Sequence, residues 1–214
     1  MKKNFNIGEN IGFGLDRVIN NLWFFISVFL FAFLLLISSS YLDTSALPCL
    51  TAFAFDMLIF IVIFLLFFVI SIGLHKIALI LTNKEKVEIK EINDLLPILP
   101  KFILTMVMYK VIVLLGFILF IIPGIIFAIK YQFAPFIVLN EKNVSIRESF
   151  KKSSLLASSL QWKLFFFEIF TAFINFFGFM CFGFGLAITL PLTIIARAKI
   201  YKELKKANGK SHTK

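Results

Sequence analysis

Charged residues make up only 16% of this 214-residue chain, and cysteine and histidine occur twice each. So little charge excludes a water-soluble globule, which needs far more polar surface to cover itself. Cys49 and Cys181 are too few for a structural zinc site, though their expected positions leave a disulfide open in an oxidising compartment. Neither an HExxH motif, nor a glycine-rich phosphate loop, nor a nucleophile elbow is present. With no acid–base pair beside a nucleophile, an enzyme is not expected, and no cofactor or metal is implied.

What the chain has instead is apolar length. Hydrophobic residues make up 60%, and 30 of them are Phe. The stretch from Val111 to Leu139 is apolar apart from Lys130 and a few neutral polar side chains, and Pro123-Gly124 interrupts it. It is too long for one soluble core helix, so two membrane-crossing helices joined at a Pro123-Gly124 hairpin corner are expected. The net charge of +10 does not point to nucleic acid, because the aromatics that would stack on bases sit inside the apolar runs. Lysine and arginine gather instead on the expected inner side of a membrane.

The runs predict spans at about 21–38, 54–80, 102–122, 125–139 and 162–179, and a sixth ending near Arg197 and Lys199. The leader before the first run is long and carries acids, unlike a signal peptide, so that run is expected to be a retained span. The loop 39–52 has no Lys or Arg and should face outward. Residues 1–20, with Ile11, Leu15, Val18 and Ile19 at helical spacing, predict a helix lying in the inner interface. A second such helix is expected around Ile89, Ile92, Leu95, Leu96 and Leu99, broken at Pro97 and Pro100. A third follows Ser145-Ile-Arg-Glu148, a capping-box pattern, with Ile146, Phe150 and Ala157 on one face. On it, Arg147, Lys151 and Lys152 are candidates for contact with anionic lipid headgroups.

The expected fold is therefore all-α: a polytopic six-transmembrane helical bundle of three helical hairpins with cytoplasmic interfacial helices. Residues 1–204 would form one integral membrane domain and 205–214 a frayed basic cytoplasmic tail, with both termini inside. Asn21-Leu-Trp-Phe-Phe resembles Gln161-Trp-Lys-Leu-Phe-Phe-Phe, consistent with parallel repeats or with any hairpin-built membrane protein.

An ionisable side chain at span depth costs roughly 2.5–3.5 kcal/mol or more, so intramembrane charges mark candidate sites. Lys130 lies ~15 Å and Glu168 ~9 Å from the inner ends of their spans at 1.5 Å per residue, which allows a pair, with Lys110 as a rival partner. An interhelical staple, a polar pocket for an anionic headgroup or solute, and simple snorkelling all fit these three residues. Pro135 could kink the fourth span toward such a pocket.

The stretches IIPGIIFAIKYQFAPFIVLNEKNVSIRESFKKSSLLASSLQWKLF and FGFGLAITLPLTIIARAKIYKEL resemble a group of bacterial multi-pass proteins. These are membrane-domain-like relatives of glycerophosphodiester phosphodiesterases, including YciC-like inner-membrane proteins, and the likeness is best over 111–204. It aligns Pro123-Gly124, Lys130-Tyr131, Glu141, Ser153, Ala196, Ala198 and Tyr201 with the family pattern. The resemblance implies a six-helix domain in the bacterial inner membrane, without phosphodiesterase chemistry, which belongs to a separate soluble domain. The expected function is a non-enzymatic, lipid- or envelope-associated membrane protein. The alternative is a small transporter or channel for an anionic or hydrophobic solute. Membrane lipids, anionic ones included, are the expected partners; a homo-oligomer or another membrane protein stays open.

Overall fold

A chain with these apolar runs must satisfy its backbone polar groups within each segment, and helices do so. The computed structural model describes residues 5–40, 49–83, 96–141, 143–158, 160–181 and 185–209, with only part of the side chains in the first two long apolar helices. Among the described residues every element is helical. In order they are α1 (Ile7–Asn20), α2 (Leu22–Ser40), α3 (Cys49–Leu81), a 3-10 turn (Leu96–Ile98), α4 (Leu99–Leu119), α5 (Ile121–Tyr131), α6 (Ala134–Asn140), α7 (Ile146–Ser158), α8 (Gln161–Met180) and α9 (Leu186–Gly209).

Three stretches are long and apolar enough to cross a bilayer: α4, α5 continued by α6, and α8. The α1–α2 pair, bent by 77°, would make a fourth if counted as one span. This is the fold of a membrane protein. The helix expected around Ile89, Ile92 and Leu95 falls outside the described residues, as do most of the loop 39–52, the middle of the corner near Gly183, and His212.

Proline chemistry sets the breaks. The expected corner at Pro123-Gly124 lies instead at Phe120, whose backbone is extended (φ −162°, ψ 156°). Pro123 falls in the first turn of α5, where its missing N–H would have no helical partner anyway. Gly124 lets α5 fold back onto α4: a Cβ there would sit 2.5 Å from the Phe117 ring, and one on Gly116 would sit 2.8 Å from the Gly124 Cα. At Pro135 the chain breaks again. A proline ring clashes with the carbonyl four residues earlier, here Tyr131, and α5 ends at Tyr131. Pro135 then occupies the first turn of α6.

The core is concentrated around α6, whose residues Ala134 to Leu139 are all buried. The last turns of α3, the middle of α9, α7 and the start of α4 pack around it through Ile72, Leu81, Phe102, Leu156, Ile195 and Ile200. The α4–α5 corner is the opposite case, with Ile118, Phe120, Ile121 and Ile122 about 70% exposed. Exposed apolar side chains around a turn whose ends stay bonded, with Phe120 N–H to Gly116 C=O at 3.0 Å and Gly124 N–H to Phe120 C=O at 3.3 Å, suit a lipid surround.

Helix α1 is more than an interfacial strip. Asn6 caps it, its side-chain oxygen accepting from Gly8 N–H at 3.1 Å. Asn10, Gly14 and Val18 form its buried face, while Leu15 and Ile19 are exposed. Glu9 pairs with Lys199 at 3.7 Å, and the Lys199 ammonium also sits 4.5 Å from the centre of the Phe13 ring. Gly14 permits the contact with α9, since a Cβ there would lie 2.7 Å from the Leu192 carbonyl oxygen, whereas one on Gly12 would meet nothing within 4 Å. Gly14→Ala should therefore lower the thermal unfolding midpoint in detergent, by an overpacking cost of about 1–3 kcal/mol. Gly12→Ala should leave the midpoint unchanged or raise it slightly, because alanine is the better helix former.

Candidate functional site

Lys130, Glu168 and Lys110 do not come together. Glu168 on α8 is bound instead by Arg197 on α9, whose Nη2 donates to both carboxylate oxygens at 2.9 and 2.8 Å. Neither Lys130 nor Lys110 has an ion-pair partner among the described residues. The guanidinium fits a carboxylate better than an ammonium does, and α8 and α9 are in direct contact. Sequence reasoning placed Arg197 at a span end and so missed it. The signal was its position near the inner end of the sixth span, an offset from Glu168 that a long arginine side chain can cover. The Arg197 Nε is buried without a partner among the described residues.

His75, also in the core, directs Nδ1 to the Ser71 carbonyl at 2.8 Å, so that nitrogen carries the proton. Its ring packs on Phe102 and Phe136, with centroids 5.4 and 5.0 Å away. Tyr109 donates to the Ala128 carbonyl at 3.3 Å, tying α4 to α5.

The break between α5 and α6 is closed by Ser153 on α7. Its hydroxyl donates to the Lys130 carbonyl at 2.8 Å and accepts from Phe133 N–H at 3.2 Å. Pro135 takes the helical donor from the Tyr131 carbonyl and α5 ends there, so the Lys130 carbonyl and the Phe133 amide on either side of the break meet the fully buried Ser153 hydroxyl instead. Beside it, Gln132 donates to the Ile129 carbonyl at 3.1 Å.

A second charge cluster closes on Glu141, just beyond α6. Lys152 reaches one oxygen at 2.7 Å and Lys205 the other at 2.8 Å. Lys152 also pairs with Glu148 at 3.0 Å, one turn before it in the helix. The Ser145 side chain accepts from Glu148 N–H at 3.2 Å, so the helix-start pattern is used as a cap. Tyr201 accepts from Asn140 at 3.3 Å and lies over Phe136 at 6.1 Å, and Ala196 and Ala198 are fully buried beside the same core. Lys205 was expected in a frayed tail; α9 instead continues through Gly209 and delivers it to Glu141. Lys152, expected to face headgroups, is taken up by the two acids. Arg147 and Lys151 are exposed, with no ion-pair partner among the described residues. The Cys181 thiol is free and exposed, and the Cys49 side chain lies outside the described ones.

The uncharacterised protein family UPF0259 matches residues 74–196, more than half of the chain. The chain belongs to that family. The match runs from the last two turns of α3 to Ile195 and Ala196 on α9, and so contains His75, Ser153, Glu141 and Glu168. A YciC-like uncharacterised kinship fits the UPF0259 match, whereas it lends no support to kinship with glycerophosphodiester phosphodiesterases. No curated protein and no solved structure matches the chain.

Glu168→Ala strands the Arg197 guanidinium and should destabilise the protein by about 3 kcal/mol or more, measured as a lower unfolding midpoint in detergent. Lys130→Ala should leave that midpoint nearly unchanged, and a Glu168→Leu, Arg197→Met double variant should recover most of the loss.

Around Glu141, burial opposes ionisation, but the bonds from Lys152 and Lys205 outweigh it and hold the carboxyl below its usual 4.5. A folded-state value below the unfolded one gives stability that is present above the unfolded value and lost as pH falls through the folded one. Bonding to Glu141 first, and then to Glu148, raises Lys152 above its usual 10.5, so its share is present below that value and lost as pH rises past the raised one. Unfolding midpoints of the wild type should therefore hold at neutral pH and fall on the acid and alkaline sides, while Glu141→Gln should flatten the acid limb.

Proposed function

We propose that this UPF0259 member is a non-enzymatic, multi-pass protein of the bacterial cytoplasmic membrane that associates with anionic lipid at its inner face. In this reading the chain crosses the bilayer six times as three helical hairpins, and both termini lie in the cytoplasm. Lysine and arginine then fall at the inner face or within spans, as the orientation bias for basic residues requires.

The observation that carries the lipid reading is a stripe on α7 and the start of α8. Arg147, Lys151 and Leu155 recur every four residues and so share one face. Leu155 is 60% exposed and Trp162 beyond it 77%. A row of free cations running into exposed aliphatic and indole side chains matches a membrane interface, with headgroups against the cations and acyl chains against Leu155 and Trp162. Glu168, the acid at span depth, is neutralised by Arg197 within the bundle, which favours the same reading over a solute pathway through that carboxylate.

The test is the lipid that copurifies with the full chain from mixed phosphatidylethanolamine and phosphatidylglycerol nanodiscs, read by mass spectrometry. Enrichment in phosphatidylglycerol is expected for the wild type. Arg147→Gln with Lys151→Gln should reduce it several-fold, since each basic group near an anionic surface contributes about 1 kcal/mol. A wild-type profile equal to the bulk mixture would defeat the reading, and liposome flux assays would then test the transporter alternative.

A further inference from the structure

Beside the Glu141 cluster, on the face shared by α3, α6 and α9, lies a cavity of about 170 Å³. Lys76 and Lys202 line it from opposite helices, Asn83 and Asn140 add side-chain amides, and Ile80 and Leu139 add apolar surface. The Lys202 ammonium donates to the Leu79 carbonyl at 2.6 Å, which uses one of its three protons. Lys76 forms no ion pair among the described residues, and no carboxylate is found among the described residues lining the cavity. Glu141 follows Asn140 in the chain, but both of its oxygens are taken by Lys152 and Lys205.

Two ammonium groups share this small cavity with no acid among the described lining residues, an electrostatic demand that the described residues leave unmet. Burial, with the charge on Lys76 adding to it, pushes Lys202 down to about 8 from its usual 10.5. A cation in that position is stabilised by an anion that brings several acceptor oxygens, because the remaining ammonium protons, the Asn83 amide and the second Asn140 amide proton, the first being given to Tyr201, are donors for it.

We propose that the cavity between Lys76 and Lys202 is a binding site for a phosphate group, held by the two ammonium groups and the Asn83 and Asn140 amides. The phosphate is that of an anionic phospholipid or of a small soluble phosphate compound. The lipid form rests on the membrane-lipid reading above, and the soluble form does not. The apolar surface from Ile80 and Leu139 beside the cations favours a molecule with an apolar part. The site differs from the exposed stripe of Arg147 and Lys151 in being a small concavity with lysines on two facing helices, so it should retain one molecule rather than enrich a surrounding layer.

Native mass spectrometry of the full chain, released from phosphatidylethanolamine nanodiscs doped with phosphatidylglycerol, reads the lipid arm. Calorimetric titration of the detergent-solubilised protein with inorganic phosphate and with glycerol phosphate reads the soluble arm. Retention of a phosphatidylglycerol molecule by the wild type is expected, with Lys76→Gln and Lys202→Gln each weakening it roughly tenfold or more, as loss of a charge-assisted hydrogen bond implies. Lys202→Arg should keep most of it. Arg147→Gln with Lys151→Gln should spare this retained molecule while reducing bulk enrichment, which separates failure of the stripe from failure of the cavity. Binding of soluble phosphate that is lost in the same two variants, without lipid retention, assigns the site to the soluble source. Equal retention in the wild type and both variants, with no heat from either phosphate compound, overturns the proposal. Should Lys202→Gln unfold, Lys76→Gln still decides, because Lys76 is only half-buried and is not engaged in an ion pair among the described residues.

Discussion

The fold depends on closing every break in a helix without help from water. In hydrocarbon an unpaired backbone N–H or carbonyl costs several kcal/mol, so a proline that interrupts a crossing helix needs a partner from another element. Pro135 makes such an interruption, and Ser153 bridges it by bonding the Lys130 carbonyl and the Phe133 amide at once. This fixes where α7 must lie, because one hydroxyl has to reach both sides of the break. With α7 in place, Lys152 one residue before Ser153 faces Glu141 at the far end of α6. Lys205 then brings in the C-terminal turns of α9. The arrangement of three helices thus follows from one proline and one serine.

Close approach of backbones is the second requirement, since lipid gives helices no hydrophobic reason to associate. Gly116 and Gly124 let α5 lie against α4 immediately after the corner, and Gly14 lets α1 lie against α9 near Leu192 and Ala196. These glycines weaken a helix by propensity, and Gly14 counts against α1 when the sequence is taken alone. Packing reverses that judgement, because the missing side chain is what the neighbouring helix occupies.

Much of this was legible in the sequence, and the limits have physical causes. Apolar runs and tryptophans locate the long helices to within a few residues, because helix length is tied to hydrocarbon and Trp23 and Trp162 each take the second position of an apolar helix after an amphipathic one. The Ser145–Glu148 cap is equally local and equally readable. The corner is displaced to Phe120 because Pro and Gly have separate tasks, one tolerated in a first turn and the other needed for contact. Pairing across helices is where reasoning along the chain fails. Depth along a helix can be counted, but rotation about its axis and the choice of neighbour cannot, so Glu168 could be given a depth and not its partner, Arg197. Lys205 was hidden for a similar reason: a basic, polar segment has the composition of a loose tail whether or not α9 continues through it.

The contrast between the two acids shows how the molecule separates its charges. Glu168, at span depth, has one guanidinium on both oxygens, the arrangement that leaves least charge uncompensated in a low-dielectric medium. Glu141, at the end of a helix, has a separate ammonium on each oxygen, one of them shared with Glu148, so both acids of the cluster are engaged. A carboxylate that gathers two lysines from α7 and α9 also removes itself as a counter-ion for Lys202, three residues before Lys205 on the same helix. Among the described residues, the cations left over at this end are therefore Lys76 and Lys202, because the acids nearby are already engaged. Adding acids would not by itself balance them; the new side chains would have to reach Lys76 and Lys202 on the other side of α6, where the described lining is lysine, amide and aliphatic.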